Sequence, residues 1–306
     1  FFSPFSGAKT FRDFRYVPGL GLGKPGEYLT DRLTDEALKL LDSVGQRPFY
    51  LNLCFHNPHT PIEGKPELVE HYRRKLAPGS RHQNAEYAAM VHALDENVGR
   101  LLRYLDERKL ADRTLVVFTS DNGGYVNQFG GQRVTDNTPL RSGKGSLYEG
   151  GIRVPLVVRW SGVTPRGAVC DEPVVCMDFF RTLTEAAGVP PDSYGDSGCD
   201  GLSLLPVLKD PRARLDRGAL FFHYPHYYPT TTPVSAVRVG DWKLLEYFED
   251  SRVELFNLSA DPAEANDLAS QMPDKASELR ERLHAWRASV RAAMPKPNPD
   301  FNAKTN

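Results

Sequence analysis

The sequence predicts an α/β fold with a smaller antiparallel appendage, and three patterns lead to this prediction. Amphipathic helical stripes at 26–43 and 84–108 are each followed by a short apolar segment, at 49–55 and 115–119. This alternation is typical of a sheet flanked by helices. From residue 219 onward the pattern changes to several short strands followed by one helix, which indicates a small antiparallel sheet.

The composition is that of an ordinary globular protein without a charge bias. The 306 residues are 40% hydrophobic and carry 38 basic and 39 acidic side chains, a net charge of -1. This balance argues against nucleic acid or an anionic membrane surface as the main partner. No apolar run reaches the length of a membrane span, and no signal peptide is visible. The four irregularly spaced cysteines do not form a disulfide framework, although a pair between Cys170 and Cys176 stays open.

The first half of the chain alternates helix and strand. On the helix predicted at 26–43, Leu29, Leu33 and Ala37 share one apolar stripe. The helix predicted at 84–108 has a longer stripe, and the length of both stripes predicts packing in the core. The stripe of the second helix is formed by Tyr87, Val91, Leu94, Val98, Leu101, Leu102 and Leu105.

The apolar segment 49–55 reads as a buried strand and runs into 56–62, here called the histidine loop. Two prolines in this loop end ladder pairing and stiffen the chain, so His56 and His59 leave the sheet at a strand end. If 49–55 and 115–119 lie parallel in one sheet, both strands end at the same edge. Ligands in open α/β sheets bind at that edge.

Asp121 and Asn122 directly follow the strand predicted at 115–119. Further on, Lys144 stands between two glycines within 140–155, here called the lysine loop. Carboxylate and amide oxygens suit a hard divalent cation, and a lysine between glycines can approach an anion without steric obstruction. These residues together predict a site for a tetrahedral oxyanion.

These segments resemble the sulfatase family of the alkaline-phosphatase-like superfamily. The match rests on Ser-Asp-Asn-Gly-Gly after the strand, Gly-Lys-Gly followed by Glu-Gly-Gly-Ile-Arg-Val-Pro, and Pro-His-Thr-Pro in the histidine loop. The resemblance implies an alkaline-phosphatase-like mixed sheet flanked by helices, and hydrolysis of a sulfate ester. It implies that Asp121 and Asn122 bind one Ca²⁺ ion. It also implies that Lys144 contacts the sulfate and that His59 assists the leaving group.

Two further histidines are candidates for substrate binding. His56 either lines the substrate pocket or is a structural histidine, and both readings stay open. The segment 222–229 groups aromatic and imidazole rings around a proline, which suits a sugar-binding wall as well as strand-end packing. Similar segments occur in sulfatases resembling those that act on carbohydrate sulfates, and we expect His226 to contact the substrate. Arg141 and Arg153 are expected to pair with carboxylates and orient the lysine loop.

The resemblance divides the chain into two parts. Residues 1–208 form the second part of the catalytic domain, and 209–306 form a C-terminal subdomain with an antiparallel sheet, a terminal helix and a tail. A helix predicted at 273–291 presents an apolar stripe that covers the sheet. The strands predicted for this sheet are Leu220 to His223, Ser235 to Val239, Trp242 to Tyr247, and Val253 to Asn257.

The nucleophile segment of sulfatases has no counterpart in the sequence. The family uses a formylglycine made from Cys or Ser in a Cys/Ser-x-Pro-Ser-Arg-like motif, and no cysteine or serine here opens that pattern. The chain starts at Phe1 without a methionine, and truncation is the expected explanation. The formylglycine and the maturation enzyme that makes it would then concern the intact protein. We therefore expect the 306-residue chain to be inactive or nearly so.

Two other functions stay open beside sulfate ester hydrolysis. A phosphate or phosphonate ester hydrolase of the same superfamily would use the same metal, histidine and lysine. A non-catalytic remnant that binds sulfated glycans is the second alternative. If the protein is a sulfatase, we expect its substrate to be a sulfated carbohydrate or an aryl sulfate. The resemblance also implies export to the periplasm or beyond, because sulfatases of this type are usually exported.

Overall fold

The structure is a computed structural model, and it describes residues 1–5, 17–190, 193, 199–296 and 298–299. The chain divides into two compact units. The first consists of Phe1–Leu115 and Val126–Asp136, and the second of Val116–Tyr125 and Asn137–Asn306. Within the described ranges, no helix combines the length and the apolar character needed to cross a membrane.

Helices and short strands are present in both units. The helices are α1 Leu29–Val44, α2 Pro66–Lys75, α3 Ala85–Glu107, α4 Glu149–Ile152, α5 Asp178–Ala186, α6 Leu205–Lys209 and α7 Pro273–Ser289. The strands are β1 Val116–Thr119, β2 Gln128–Phe129, β3 Gln132–Arg133, β4 Leu156–Arg159, β5 Leu220–Tyr224, β6 Val234–Val239, β7 Trp242–Tyr247 and β8 Val253–Asn257.

Helices dominate the first unit, where both α1 and α2 pack against α3. Helix α3 begins after Asn84, whose side chain accepts a hydrogen bond from the amide of Tyr87. This is the usual way in which an N-cap satisfies one of the free amides of a first turn. The two helices predicted from apolar stripes are confirmed as α1 and α3. The stripe predicted for the core side of α3 is wrong: Val91 is exposed, and Leu105 is its one buried member. Small side chains form the buried face instead, because they let neighbouring helices approach closely; the buried residues of α3 are Ala85, Ala89, Met90, Ala93, Asn97 and Leu105. Helix α2 was not predicted, because Val69 is its one buried residue among charged neighbours.

The strand predicted at 49–55 is wrong. Leu51 and Leu53 are half-buried and alternate with exposed Asn52 and Cys54, but the segment forms no β-ladder. The expected parallel pair with 115–119 is therefore absent from the described strands. Strand β1 pairs instead with β4 in antiparallel register. An alternating apolar pattern reports which side chains are buried, and it does not supply the backbone partner that a strand needs.

The second unit contains the predicted antiparallel sheet, with the strand order β5-β6-β7-β8. On one face, Leu279 and Leu283 of α7 pack against Val237, Leu244 and Leu255. On the other face, the lysine loop contributes Leu147 and Tyr148 to a second apolar cluster. The predicted small sheet with a terminal helix is therefore confirmed. The domain boundary after residue 208 stays a prediction, and most of the predicted tail lies outside the described residues.

All four cysteines are free thiols. The pair between Cys170 and Cys176 that the sequence left open is not formed, and both side chains are exposed.

Candidate active site

The turn after β1 presents two oxygens with no hydrogen-bond donor. The backbone amide of Asn122 donates to Oδ1 of Asp121 (3.0 Å), and Nδ2 of Asn122 donates to the carbonyl of Gly123 (2.9 Å). These bonds leave Oδ2 of Asp121 and Oδ1 of Asn122 without a donor among the described residues. One carboxylate oxygen and one amide oxygen are ligand types that a hard cation such as Ca²⁺ accepts.

Glycines let this turn pack directly on the lysine loop. The amide of Gly123 donates to the carbonyl of Gly151 (2.9 Å), and a Cβ atom at Gly123 would lie 1.8 Å from the carbonyl oxygen of Gly150. The next residue, Gly124, accepts a hydrogen bond from the amide of Lys144 (3.0 Å). The backbone of Lys144 is thereby joined to the turn that carries Asp121.

The side chain of Asn137 ties the same segments together. Its Nδ2 lies within hydrogen-bond distance of three carbonyl oxygens, those of Gly124 (3.1 Å), Ser142 (3.0 Å) and Gly150 (3.1 Å). By contrast, Nζ of Lys144 has no hydrogen bond or ion pair with any described residue. The loop is therefore held through its backbone while its ammonium group stays free to bind an anion.

A buried charge cluster lies beneath the lysine loop. Lys243 of β7 is fully buried, and its Nζ lies 2.9 Å from Oε1 of Glu149 and 2.8 Å from Oε1 of Glu264. Glu264 also accepts a hydrogen bond from the amide of Glu149 (2.6 Å). Burial raises the pKa of Glu264, although the Lys243 ammonium acts against this. The cluster connects α4, directly after Lys144, to the C-terminal sheet.

The two loop arginines make the contacts that the sequence predicts for structural groups. Arg153 lies 4.0 Å from the carboxylate of Glu149. The guanidinium of Arg141 stacks 3.9 Å from the ring centre of Tyr148 and donates to the carbonyl of Glu264 (2.9 Å). Both arginines are therefore engaged with protein groups.

The histidine loop belongs to the first unit, and the buried Asn57 holds it there. Nδ2 of Asn57 donates to the carbonyl of Met90 (2.9 Å) and to the phenol of Tyr28 (3.0 Å). The Tyr28 hydroxyl in turn donates to the carbonyl of Glu63 (2.9 Å). These bonds fix the loop between the start of α1 and the second turn of α3.

The two imidazoles of the histidine loop differ in their surroundings. Nε2 of His56 donates to the carbonyl of Thr60 (3.0 Å), and burial lowers the pKa of His56 to about 4, an effect that charge on His59 reinforces. His59 is exposed, and its Nδ1 lies 2.8 Å from the same carbonyl oxygen. Its Nε2 has no partner among the described residues. The geometry therefore favours a structural role for His56 and leaves one nitrogen of His59 available.

The segment 222–229 contains one half-buried histidine with both ring nitrogens engaged and one exposed histidine. Nδ1 of His223 is hydrogen-bonded to the hydroxyl of Ser235 (2.6 Å), and Nε2 is hydrogen-bonded to the carbonyl of Ala293 (2.8 Å). His226 is exposed, with its ring centre 5.4 Å from that of Tyr224. The exposed imidazole is the one that a ligand can reach.

The predicted site residues thus divide between the two units. His56 and His59 lie in the first unit, while Asp121, Asn122, Lys144 and His226 lie in the second. Within the second unit, backbone hydrogen bonds join Lys144 to the turn of Asp121 and Asn122. The described residues contain no group of three or more His, Cys, Asp or Glu side chains arranged to hold a metal. The roles of these residues stay predictions.

Sequence reasoning missed Lys243, Asn57 and Asn137. For Lys243 a signal existed, because it shares a strand face with Leu245 and Tyr247, and alternation places all three on one side of the sheet. For the two asparagines no such signal was present, since their acceptors are backbone carbonyls brought close by the fold.

Two family models match the chain. The model described as Sulfatase matches residues 2–189, and the model described as N-sulphoglucosamine sulphohydrolase, C-terminal, matches residues 143–289. Together they span both of the units.

Curated sulfatases are similar to this protein over most of its chain. A protein named Sulfatase from Formosa agariphila is 36% identical over 292 residues, which cover 88% of this chain and 52% of the relative. The steryl-sulfatase of Mus musculus is 34% identical over 315 residues, which cover 90% of this chain and 47% of that enzyme. The chain therefore spans about half the length of the curated relatives it matches.

Solved structures confirm the fold. The crystal structure of Ps i-CgsB in complex with k-i-k-neocarrahexaose matches with a TM-score of 0.73 and 29% sequence identity. The match covers 89% of this chain and 58% of that chain. The α/β fold that the resemblance implied, with its small C-terminal sheet, is thereby confirmed.

Proposed function

This chain belongs to the sulfatase family, and we propose that the whole protein hydrolyses a sulfate ester of a carbohydrate or of an aryl alcohol. One observation carries the proposal. The ammonium of Lys144 has no hydrogen bond or ion pair among the described residues, and it stands on a loop that is hydrogen-bonded to the turn of Asp121 and Asn122. A cationic side chain on a backbone joined to two hard oxygen ligands matches the charge of a sulfate group and the metal that would accompany it.

In this proposal each residue has a distinct task. Lys144 binds a sulfate oxygen and neutralises part of its charge. His59 donates a proton from Nε2 to the leaving oxygen, since its Nδ1 is already engaged with the carbonyl of Thr60. His226 contacts the remainder of the substrate from the aromatic segment 222–229. His56 is a structural residue of the histidine loop. Because burial lowers its pKa, it stays neutral and places no second positive charge beside His59.

Asp121 and Asn122 would hold Ca²⁺. The unengaged Oδ2 of Asp121 and Oδ1 of Asn122 fit such an ion as two of its ligands. When bound, the ion would withdraw charge from the sulfate oxygens.

For the whole protein, we further propose a formylglycine nucleophile that a maturation enzyme generates, and export to the periplasm or beyond. Family membership supports both proposals. A carbohydrate substrate gains support from the relative that was solved with k-i-k-neocarrahexaose.

Anion binding tests the proposal without requiring turnover. Calorimetric titration of the chain with sodium sulfate, in the presence of Ca²⁺, should give saturable binding. The Lys144→Met variant should bind about tenfold to a hundredfold more weakly, because a charge-assisted hydrogen bond is lost. Lys209→Met, which changes an exposed lysine of the same unit, is the matched control and should bind normally.

The alternatives make different predictions in the same titration. Tighter binding of phosphate than of sulfate, with the same dependence on Lys144, would favour a phosphate or phosphonate ester hydrolase. Equal sulfate affinity in wild type and Lys144→Met would contradict the proposed site.

A further inference from the structure

The turn after β5 contacts the lysine loop at Lys144 itself. Tyr228 and Thr231 exchange two backbone hydrogen bonds, of 3.0 and 2.9 Å, which close a tight turn with Thr230 at its tip. From this tip, Oγ1 of Thr230 donates to the carbonyl oxygen of Lys144 (2.7 Å). Since the amide of Lys144 donates to Gly124, both backbone polar groups of this lysine are engaged.

The ring of Tyr228 covers the neighbouring glycine. Gly145 has a φ of +86°, and a Cβ atom added there would lie 2.2 Å from Cδ1 of Tyr228. Any other residue would therefore combine an unfavourable backbone conformation with a collision. Burial raises the pKa of Tyr228, and the phenols of Tyr125 and Tyr224 raise it further, so aromatic groups surround this contact.

Simple packing of a turn on a loop does not account for these contacts. Packing alone would require only apolar surface. Here the hydroxyl of Thr230 donates a hydrogen bond to the carbonyl of Lys144, the residue whose ammonium has no partner among the described residues. A residue fixed at both its amide and its carbonyl has a limited set of directions for its Cα–Cβ bond. The contacts therefore constrain where Nζ of Lys144 can reach.

We infer that Thr230 and Tyr228 are positioning residues that hold Lys144 in place for a sulfate group, an inference that rests on the proposed function. The turn also continues the segment 222–229, which ends directly before Thr230 and contains the exposed His226. Contact of a sugar with His226 and contact of its sulfate with Lys144 are then coupled through the three residues that separate His226 from Thr230. The substrate class that this coupling suits is a carbohydrate sulfate, which engages both ends at once.

Substitutions at Thr230 separate positioning from packing. Thr230→Val keeps the shape of the side chain and removes the donor, while Thr230→Ser keeps the donor. Thr232→Val is the control, because no described residue is hydrogen-bonded to the hydroxyl of Thr232. Two quantities are measured on each variant of the full chain: the affinity for sodium sulfate with Ca²⁺, by calorimetry, and the hydrogen-exchange rates of the Lys144 and Gly145 amides, by NMR.

Loss of the Thr230 hydrogen bond should weaken sulfate binding about fivefold and speed exchange of both amides. Thr230→Ser should restore both quantities, and Thr232→Val should change neither. Tyr228→Phe should also behave as wild type, because the ring and not the hydroxyl meets Gly145, whereas Tyr228→Ala should resemble Thr230→Val.

The outcomes distinguish this inference from the proposed function. Normal sulfate affinity in Thr230→Val, even with a lower melting temperature, would overturn the positioning role and leave the proposed site intact. Absence of sulfate binding by the wild type would overturn the proposed function, and the positioning role with it.

Discussion

The histidine loop and the lysine loop solve the same structural problem by different means. Each presents polar side chains at a surface, and the one regular element in either described loop is the short helix α4 in the lysine loop. Each is also held by one asparagine amide, Asn57 or Asn137. The histidine loop adds prolines and neutral hydrogen bonds. The lysine loop adds close-packed glycines and, beneath them, the ion cluster of Lys243.

This difference teaches where each loop is vulnerable. Prolines restrict the chain locally, so the histidine loop keeps part of its shape without distant partners. The lysine loop depends on residues about a hundred positions away, because Lys243 and Glu264 approach Glu149 from the C-terminal part of the chain. Damage to the sheet should therefore reach the lysine loop, and the largest effects are expected there.

The largest loss of stability is expected for Lys243→Ala. The substitution leaves Glu149 and Glu264 buried side by side without their cation, and breaking a buried ion pair in this way costs about 3–5 kcal/mol. Urea unfolding at pH 7 measures the loss. The control is Lys275→Ala in α7, whose ion pair with Glu278 is partly exposed and should contribute at most about 1 kcal/mol.

A second variant sharpens this prediction. Combining Lys243→Met with Glu149→Gln and Glu264→Gln removes all the buried charge, and it should recover part of the stability that Lys243→Ala loses. If Lys243→Ala and Lys275→Ala unfold at the same urea concentration as wild type, the charge cluster does not stabilise the lysine loop.

A smaller loss is expected for Asn57→Ala in the histidine loop. The carbonyl of Met90 and the phenol of Tyr28 each lose a donor in a buried place, which costs about 1–3 kcal/mol. Asn52→Ala, an exposed site on the approach to the same loop, should stay within about 0.5 kcal/mol of wild type. Chemical unfolding compares the two variants, and equal stability of both would show that Asn57 does not anchor the loop.

Helices α1, α3 and α7 and the C-terminal sheet were predictable because the patterns that identify them are local. Stripes such as that of Leu29, Leu33 and Ala37 repeat within one helix, and the strands from Leu220 onward alternate within a few residues of each turn. The segment 49–55 shows the limit of this reasoning, since it was predicted as a buried strand, whereas its apolar side chains are at most half-buried and it pairs with no strand. A β-ladder requires two paired segments, and the sequence of 49–55 describes only one of them.

For the candidate site the sequence proposes residues whose roles stay predictions. Asp121, Asn122 and Lys144 stand in short motifs with a chemical meaning of their own, so the sequence suffices to propose them. The residues that hold these side chains in place stand in no such motif. The hydroxyl of Thr230 meets Lys144 across 86 positions, and a threonine in a turn is common enough to carry no signal.

The smallest loss of stability is expected on lowering the pH, through protonation of His56 in the histidine loop. The pKa of His56 is lowered to about 4 from 6.5, so between these values the unfolded chain binds a proton that the folded chain does not. Stability should therefore fall as the pH is lowered from about 6.5 to 4 and level off below that, by an amount on the order of 1 kcal/mol because the imidazole is partly exposed. Urea unfolding at pH 7 and pH 4.5 measures this fall, and His56→Gln, which keeps a donor for Thr60, should reduce it. An equal fall in wild type and His56→Gln would assign the acid sensitivity to other groups and would leave the two loops alike in their response to pH.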